Sequence, residues 1–209
     1  MPPDIILAFD TSAAHCAAAL LLPDGRCLIT DEAMAKGQAE RLVPMIEELL
    51  HRGQITFRDL TAIGVGTGPG NFTGVRISVA LARGLALSLG VPAIGVTRLE
   101  ALAYALPRPV TVVDDARRDA VYVQRFDTCG ADQAAVLATD IVQIDGPVTG
   151  PGAALIGRVA LEQPVPLVQA IARIAAGRTG TPHPPPAPFY LRGADAAPPS
   201  DPAPVILDA

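Results

Sequence analysis

Gly64-Val-Gly-Thr-Gly-Pro-Gly-Asn-Phe-Thr-Gly-Val-Arg76 runs directly into the apolar segment from Ile77 to Leu89. A short hydrophobic run is followed by five glycines and a proline, and then by a helix-compatible pattern. This order describes a strand that ends in a tight turn able to adopt positive φ. The turn hands bare N–H groups to a helix start capped by Asn71 or Thr73. Such a turn either holds an anion or holds a neighbouring backbone at close range. Two phosphate signatures are excluded by spacing. A P-loop needs Gly-Lys-Ser/Thr, and the single lysine of the chain is Lys36. The dinucleotide fingerprint needs a third glycine where Thr73 stands.

The chain has 209 residues, half of them hydrophobic and 18% charged, with a net charge of −5. That supports one large domain or two small lobes. Acids and arginines are scattered with no basic run, which argues against an independent nucleic-acid surface. Cys16, Cys27 and Cys129 show no CxxC spacing and read as free, buried thiols of a reducing compartment. The N-terminus lacks a basic flank, and Arg83 interrupts the best membrane-span candidate, so the expectation is a soluble, cytoplasmic protein without a membrane segment.

Working outward from the glycines, Ile5–Phe9 reads as a central strand buried on both faces. Cys16–Leu22 and Arg26–Ile29 form a hairpin around Asp24-Gly25. From Ala39, Leu42, Val43, Ile46, Leu49 and Leu50 mark a helical stripe with Pro44 inside it and Gly53 as its stop. Thr61–Val65 is a strand, Thr73–Leu89 a long helix ending at Gly90, Val91–Val96 a strand, and Arg98–Leu106 a short helix. Val110–Val113, Asp114-Asp115 and Val121–Phe126 then repeat the order strand, acid, return strand first seen at Ile5–Phe9, Asp10 and Cys16–Leu22, which suggests duplicated halves. Val136–Ile144 and Ala154–Ile156 are weaker strand candidates, and Val165–Ala176 is a helix candidate. From Thr181 proline forbids helix, and Phe189-Tyr-Leu191 would anchor an extended tail.

The Thr73–Leu89 helix is apolar around most of its circumference, so it needs cover on nearly all sides. One face suits its own sheet; the other requires another subunit, through a four-helix bundle that includes Leu42, Met45, Ile46 and Leu49, or the second half of this chain. Little else points to chemistry. His15, His51 and His183 stand far apart in sequence without ligand spacing or an evident carboxylate partner. No Gly-x-Ser-x-Gly elbow exists. Asp10-Thr11-Ser12 follows the first strand at its carboxyl end, where an acid can hold Mg²⁺ and hydroxyls can contact phosphate, or where side chains simply cap the turn. Asp115 sits in a second acidic corner that either faces Asp10 across a cleft or is a solvated hairpin.

Ile6-Leu-Ala-Phe-Asp-Thr-Ser12, Glu40-Arg-Leu-Val-Pro-Met-Ile-Glu-Glu-Leu-Leu50, Gly66 to Arg76, Gly95-Val-Thr-Arg-Leu-Glu-Ala-Leu102, Asp115-Ala-Arg117 and Tyr190-Leu-Arg192 occur in this order. With these strings the chain resembles the TsaB family, bacterial subunits for making the threonylcarbamoyl modification on adenosine 37 of tRNA. The resemblance covers residues 5–126 and returns at Tyr190. It implies an α/β, duplicated actin/sugar-kinase/Hsp70-like (RNase H-like) two-lobed fold, read here as an N-terminal lobe over 1–106 with the partner-binding helices and a C-terminal lobe over 107–195, while composition marks 196–209 as a proline-rich tail expected to be disordered.

The resemblance further implies a non-catalytic subunit that supports the catalytic paralogue TsaD, with the ATPase TsaE joining the assembly. No His-x-x-x-His metal pair is present. Partner contacts are expected from Leu42, Met45, Ile46, Leu49, Arg76, Val79, Ala80 and Arg83, and the same surface implies a homodimer when the chain is alone. Asp10, Thr11, Ser12, Gly68, Gly70 and Asp115 are the nucleotide- or phosphate-proximal candidates. No intrinsic cofactor or metal is expected, ATP and Mg²⁺ belong at the complex interface, and tRNA is met through the complex only. The alternative is a Mg-dependent ATP-hydrolysing or kinase-like enzyme that uses the interlobe cleft. Where many relatives carry a His-Ser pair this chain has Gln38-Ala39.

Overall fold

Alternation along the first strand sets the architecture. In β1 (Ile6–Asp10) Leu7 and Phe9 point to one side and Ile6, Ala8 and Asp10 to the other, and all five are buried. A strand buried on both faces needs cover above and below. The computed structural model, which describes residues 4–192, supplies both layers. β1 pairs antiparallel with β2 (His15–Leu21), which pairs antiparallel with β3 (Cys27–Ala33). On its other side β1 runs parallel to β4 (Ala62–Gly66), and β4 to β5 (Ala93–Val96), giving the order β3-β2-β1-β4-β5.

One face is covered by α1 (Gln38–Gly53) and α2 (Phe72–Leu89). Leu42, Met45, Ile46 and Leu49 of α1 and Val75 and Val79 of α2 pack there with Leu7, Phe9 and Leu20. Pro44 is accommodated inside α1, and Gln54 closes it at φ 56. α2 has the length and apolarity of a membrane span despite Arg83, yet Gly74, Val75, Ser78, Val79 and Ala82 are buried against the sheet, as in a core helix. The opposite face is lined by small residues, Ala8, Ala17, Ala19 and Ala62. Small side chains allow close helix approach, and a Cβ at Gly64 would stand 2.9 Å from the Ala175 methyl.

The occupant of that face comes from far along the chain. It is α4 (Leu167–Ala176), which follows α3 (Arg98–Leu102) and the second sheet. The second half of the chain therefore does cover the first sheet, but on the side away from α2.

The second sheet repeats the first in reduced form. β6 (Val110–Arg117) and β7 (Ala120–Asp127) form the hairpin, β8 (Gly130–Ala131) and β9 (Ala135–Ala138) pair with β7, and β10 (Val148–Thr149) runs parallel to β6 as β4 does to β1. The duplicated strand–acid–strand pattern is thus real at the level of topology. Several boundaries differ from the sequence reading. The weak strand Val136–Ile144 shrinks to β9, Ala154–Ile156 lies in a 3-10 turn over Pro151–Ile156, and the helix after Thr97 stops at Leu102. Of the cysteines, Cys16 is buried, but Cys27 is half-buried and Cys129 is exposed. The tail assigned to 196–209 lies outside the described residues.

Candidate functional site

The carboxyl ends of β1 and β4 open onto a cleft of about 700 Å³ between the two sheets. Here the glycine-rich turn answers the question its sequence poses: it holds a backbone. A Cβ at Gly66 would collide with the Asp10 carboxylate, one at Gly70 with the Ser12 carbonyl, and one at Gly74 with the Thr11 carbonyl. Asn71 N–H donates to Ser12 O at 2.6 Å and Thr11 Oγ1 to Gly74 O at 2.6 Å. The first free N–H groups of α2, from Thr73 and Gly74, donate to Asn71 Oδ1. Gly68 turns at φ 86, the left-handed region that glycine enters without penalty. Glycine is needed because two chain segments touch, leaving these donors engaged within the protein.

The acids are equally engaged. Asp10 is buried and its Oδ2 accepts from Ser12 Oγ at 2.9 Å and His15 Nε2 at 2.7 Å. Burial works to raise its pKa, but the His15 hydrogen bond, the charges of His15 and Arg98, and the Ser12 hydrogen bond outweigh it and hold the carboxyl below the ordinary 3.8. Its Oδ1 has no hydrogen-bond partner among the described residues. The histidine reading from sequence is corrected here. Ala17 lies opposite both Asp10 and Asp31 in the ladder, and His15, two residues along on the same face, sits between the two carboxylates, 3.6 Å from Asp31.

Across the cleft the acid that matters is Asp114. Its Oδ2 takes Arg98 Nε at 2.6 Å, a pair that ties the first turn of α3 to β6. Asp115, the residue expected there, is exposed, and its carboxylate caps the following turn by accepting Arg117 N–H at 2.6 Å. Arg98, His15 and Tyr190 are site residues that sequence reasoning passed over. The hairpin register was the available signal for His15; Arg98 and Tyr190 stand in the quoted family strings, whose order alone does not place them at the cleft.

Residues 29–174 match the family model described as TsaD, tRNA N6-adenosine threonylcarbamoyltransferase. The Escherichia coli K12 protein named tRNA threonylcarbamoyladenosine biosynthesis protein TsaB is 34% identical over 148 residues, 66% of this chain and 64% of that one. The solved structure of YeaZ from Pseudomonas aeruginosa is 31% identical, with a TM-score of 0.69 over 83% of this chain and 91% of its own. The chain belongs to the TsaB family. A further Pseudomonas aeruginosa structure, of an uncharacterized protein with similarity to peptidase YEAZ, covers 90% of this chain at 29% identity and a TM-score of 0.71. The matches span 42% to 64% of the lengths of four of the curated relatives. The activator of 2-hydroxyisocaproyl-CoA dehydratase from Clostridium difficile, solved with bound ADPNP, is 9% identical at a TM-score of 0.52, which shows the fold alone. That fold is the duplicated actin/sugar-kinase/Hsp70-like one.

Five of the six strings that carry the TsaB resemblance contribute to this cleft, and Glu40–Leu50 lies apart from it in α1. Tyr190 Oη accepts from Arg76 Nε at 2.9 Å, the Arg76 guanidinium lies 3.6 Å over the Phe72 ring, and Phe72 and Tyr190 stack at 4.9 Å. Phe189 N–H donates to Thr67 O, and Arg192 Nη1 to Ala116 O at 2.9 Å, so the segment straps one lobe to the other. The expected partner-binding set needs correction. Leu42, Met45, Ile46, Leu49 and Val79 are at most 4% exposed and fill the chain's own core. Arg76 is exposed but holds Tyr190. Ala80 and Arg83 do reach the surface, beside Gly84 and Leu87. A helical stripe in sequence marks the face a helix buries first, and α1 buries it within the monomer.

Proposed function

We propose that this chain is a non-catalytic subunit in the cytoplasmic biosynthesis of threonylcarbamoyladenosine on tRNA, the pathway named for its TsaB relatives. In this reading it docks the catalytic TsaD subunit through the outer faces of α1 and α2, self-associates through the same faces when TsaD is absent, and works alongside TsaE. ATP and Mg²⁺ act at the joint interface of the complex. The observation that carries the reading is a contrast within α2. At its start the hydroxyls of Thr11 and Ser12 and the N–H groups of Asn71, Thr73 and Gly74 all serve the fold. Farther along, Leu87 is 87% exposed beside Ala80 and Gly84, and Val43 on α1 is 40% exposed. Small residues around a bare leucine let a second helix approach closely, and an exposed large apolar side chain so flanked suits a contact surface.

Reconstitution tests the role. The chain with TsaE, ATP, the threonylcarbamoyl donor and tRNA gives no modified nucleoside until TsaD is added; product formed without TsaD contradicts the proposal. A second reading, a Mg-dependent ATP-hydrolysing or kinase-like enzyme, draws on the partnerless Oδ1 of buried Asp10 beside a roomy cleft. Calorimetric titration of the isolated chain with Mg-ATP decides it: heat of binding that disappears in Asp10→Asn supports the enzyme, and a flat titration ends it.

A further inference from the structure

The chain is acidic, and its arginines are dispersed in sequence, yet folding collects them. Arg98, Arg117, Arg118 and Arg192 line the interlobe cleft against two acids, Asp114 and Asp115. Asp114 is already neutralised by Arg98. Arg117 and Arg118 stand at the tip of the β6–β7 hairpin, exposed, on a turn in which Arg117, Arg118 and Asp119 are all left-handed, at φ 58, 51 and 54. Non-glycine residues persist in that region only where surroundings fix them. Here Asp115 accepts Arg117 N–H, Asp119 O accepts Thr139 N–H, and Arg192 holds Ala116 O. The guanidinium of Arg117 has no partner among the described residues.

Opposite this turn stands Tyr190, 41% exposed and the most exposed aromatic among the described residues. Its ring rests on Phe72 and its hydroxyl on Arg76, so one face is braced and the outer side is open. A rigid exposed aromatic beside arginines that lead along a groove is the combination that binds single-stranded nucleic acid, the ring stacking a base and the guanidinium groups meeting phosphates.

We infer that the interlobe cleft of this chain is itself an RNA-contacting surface, which takes a single-stranded RNA segment with a base on Tyr190 and the adjoining phosphates on Arg117, Arg118 and Arg192. This goes beyond docking and revises the expectation that RNA is met only through a partner. A mononucleotide and an RNA strand share the phosphate and base chemistry; the strand is favoured because the arginines extend from the cleft floor to its open rim rather than enclosing one phosphate.

The test uses the full chain with no partner present, so its outcome is independent of whether TsaD binds. Fluorescence anisotropy with a labelled single-stranded oligoribonucleotide at low salt is expected to give a Kd on the order of 10 to 100 µM, with log K falling against log salt with a slope of about −2 for about three phosphates. Tyr190→Ala and Arg117→Glu each weaken binding about tenfold or more. Tyr190→Phe, which loses the Arg76 bond but keeps the ring, stays within about threefold, and Arg58→Glu, at the other end of the first sheet, within about twofold. Thermal unfolding of each variant confirms its fold. Absent binding, equal binding by Tyr190→Ala and Arg117→Glu, or adenosine monophosphate binding as tightly as the strand each overturns the inference.

Discussion

The turn from Gly66 to Gly74 and the outer face of α2, only a few residues farther on, invite opposite guesses and turn out to exchange roles. A glycine-rich turn at the carboxyl end of a parallel strand is where α/β sheets usually hold ligands. Here its glycines let two backbones touch: its Asn71 N–H ends on Ser12 O, its Thr73 and Gly74 N–H groups on Asn71 Oδ1, and its Gly74 O accepts the Thr11 hydroxyl. The apolar helix that follows looks like plain core. Yet the second half of the chain sends α4 to the opposite face of the sheet, and only its extended segment comes alongside α2, with Tyr190 on Phe72 and His183, Pro185 and Pro186 flanking a groove that Leu87 lines. The lesson is to ask of each segment what it leaves unsatisfied. The turn spends its Asn71, Thr73 and Gly74 donors on the chain itself, and the helix leaves Leu87 exposed.

The comparison breaks most severely if the turn tolerates bulk. Gly74→Val places carbon atoms on the Thr11 carbonyl, and the expected loss is about 3 kcal/mol or more, or failure to fold, as measured by urea unfolding. Unchanged stability would mean that the two segments do not touch. His15→Ala comes next. In the wild type the Asp10 pKa lies below its unfolded value of 3.8. Its contribution is therefore fully present above that value and lost as pH falls through the lower, folded one.

Without His15 only the Arg98 charge and the Ser12 hydrogen bond oppose burial, so the folded pKa rises from its wild-type position. The buried carboxylate then costs stability at neutral pH, on the order of 2 kcal/mol, and that deficit shrinks as pH is lowered through the raised folded value toward 4. Urea unfolding at pH 7 and pH 4 reads the difference directly; a deficit independent of pH would show that His15 acts by packing alone. Asn71→Ala sharpens the same side of the comparison more gently. It removes the cap of α2, with an expected loss of about 1 kcal/mol in the same unfolding assay.

The sequence makes some of this legible and hides the rest for physical reasons. Strand periodicity exposes β1 and the β2–β3 hairpin, and Asn71 and Gly90 mark both ends of α2, because these signals are local. The duplicated halves are visible as strand, acid and return strand because topology repeats even where sequence does not. The docking residues are chosen wrongly from the stripe Leu42, Met45, Ile46 and Leu49, since periodicity reports burial without saying whose core is being filled. His15 between Asp10 and Asp31 depends on ladder register across three strands, and the cleft arginines meet only after residues some 75 positions apart, such as Ala116 and Arg192, come into contact. β10 and the 3-10 turn after it are too short to announce themselves.

The proposed docking role rests on the bare end of α2, and one titration addresses it directly. Purified TsaD is titrated calorimetrically with the wild-type chain and with Leu87→Glu, whose stability is expected to stay within about 0.5 kcal/mol because the residue is exposed. The account predicts that the variant melts like the wild type and binds TsaD at least about tenfold more weakly, since a carboxylate buried without a partner at an interface costs more than 1.4 kcal/mol. Equal affinity for TsaD in the two proteins would contradict it.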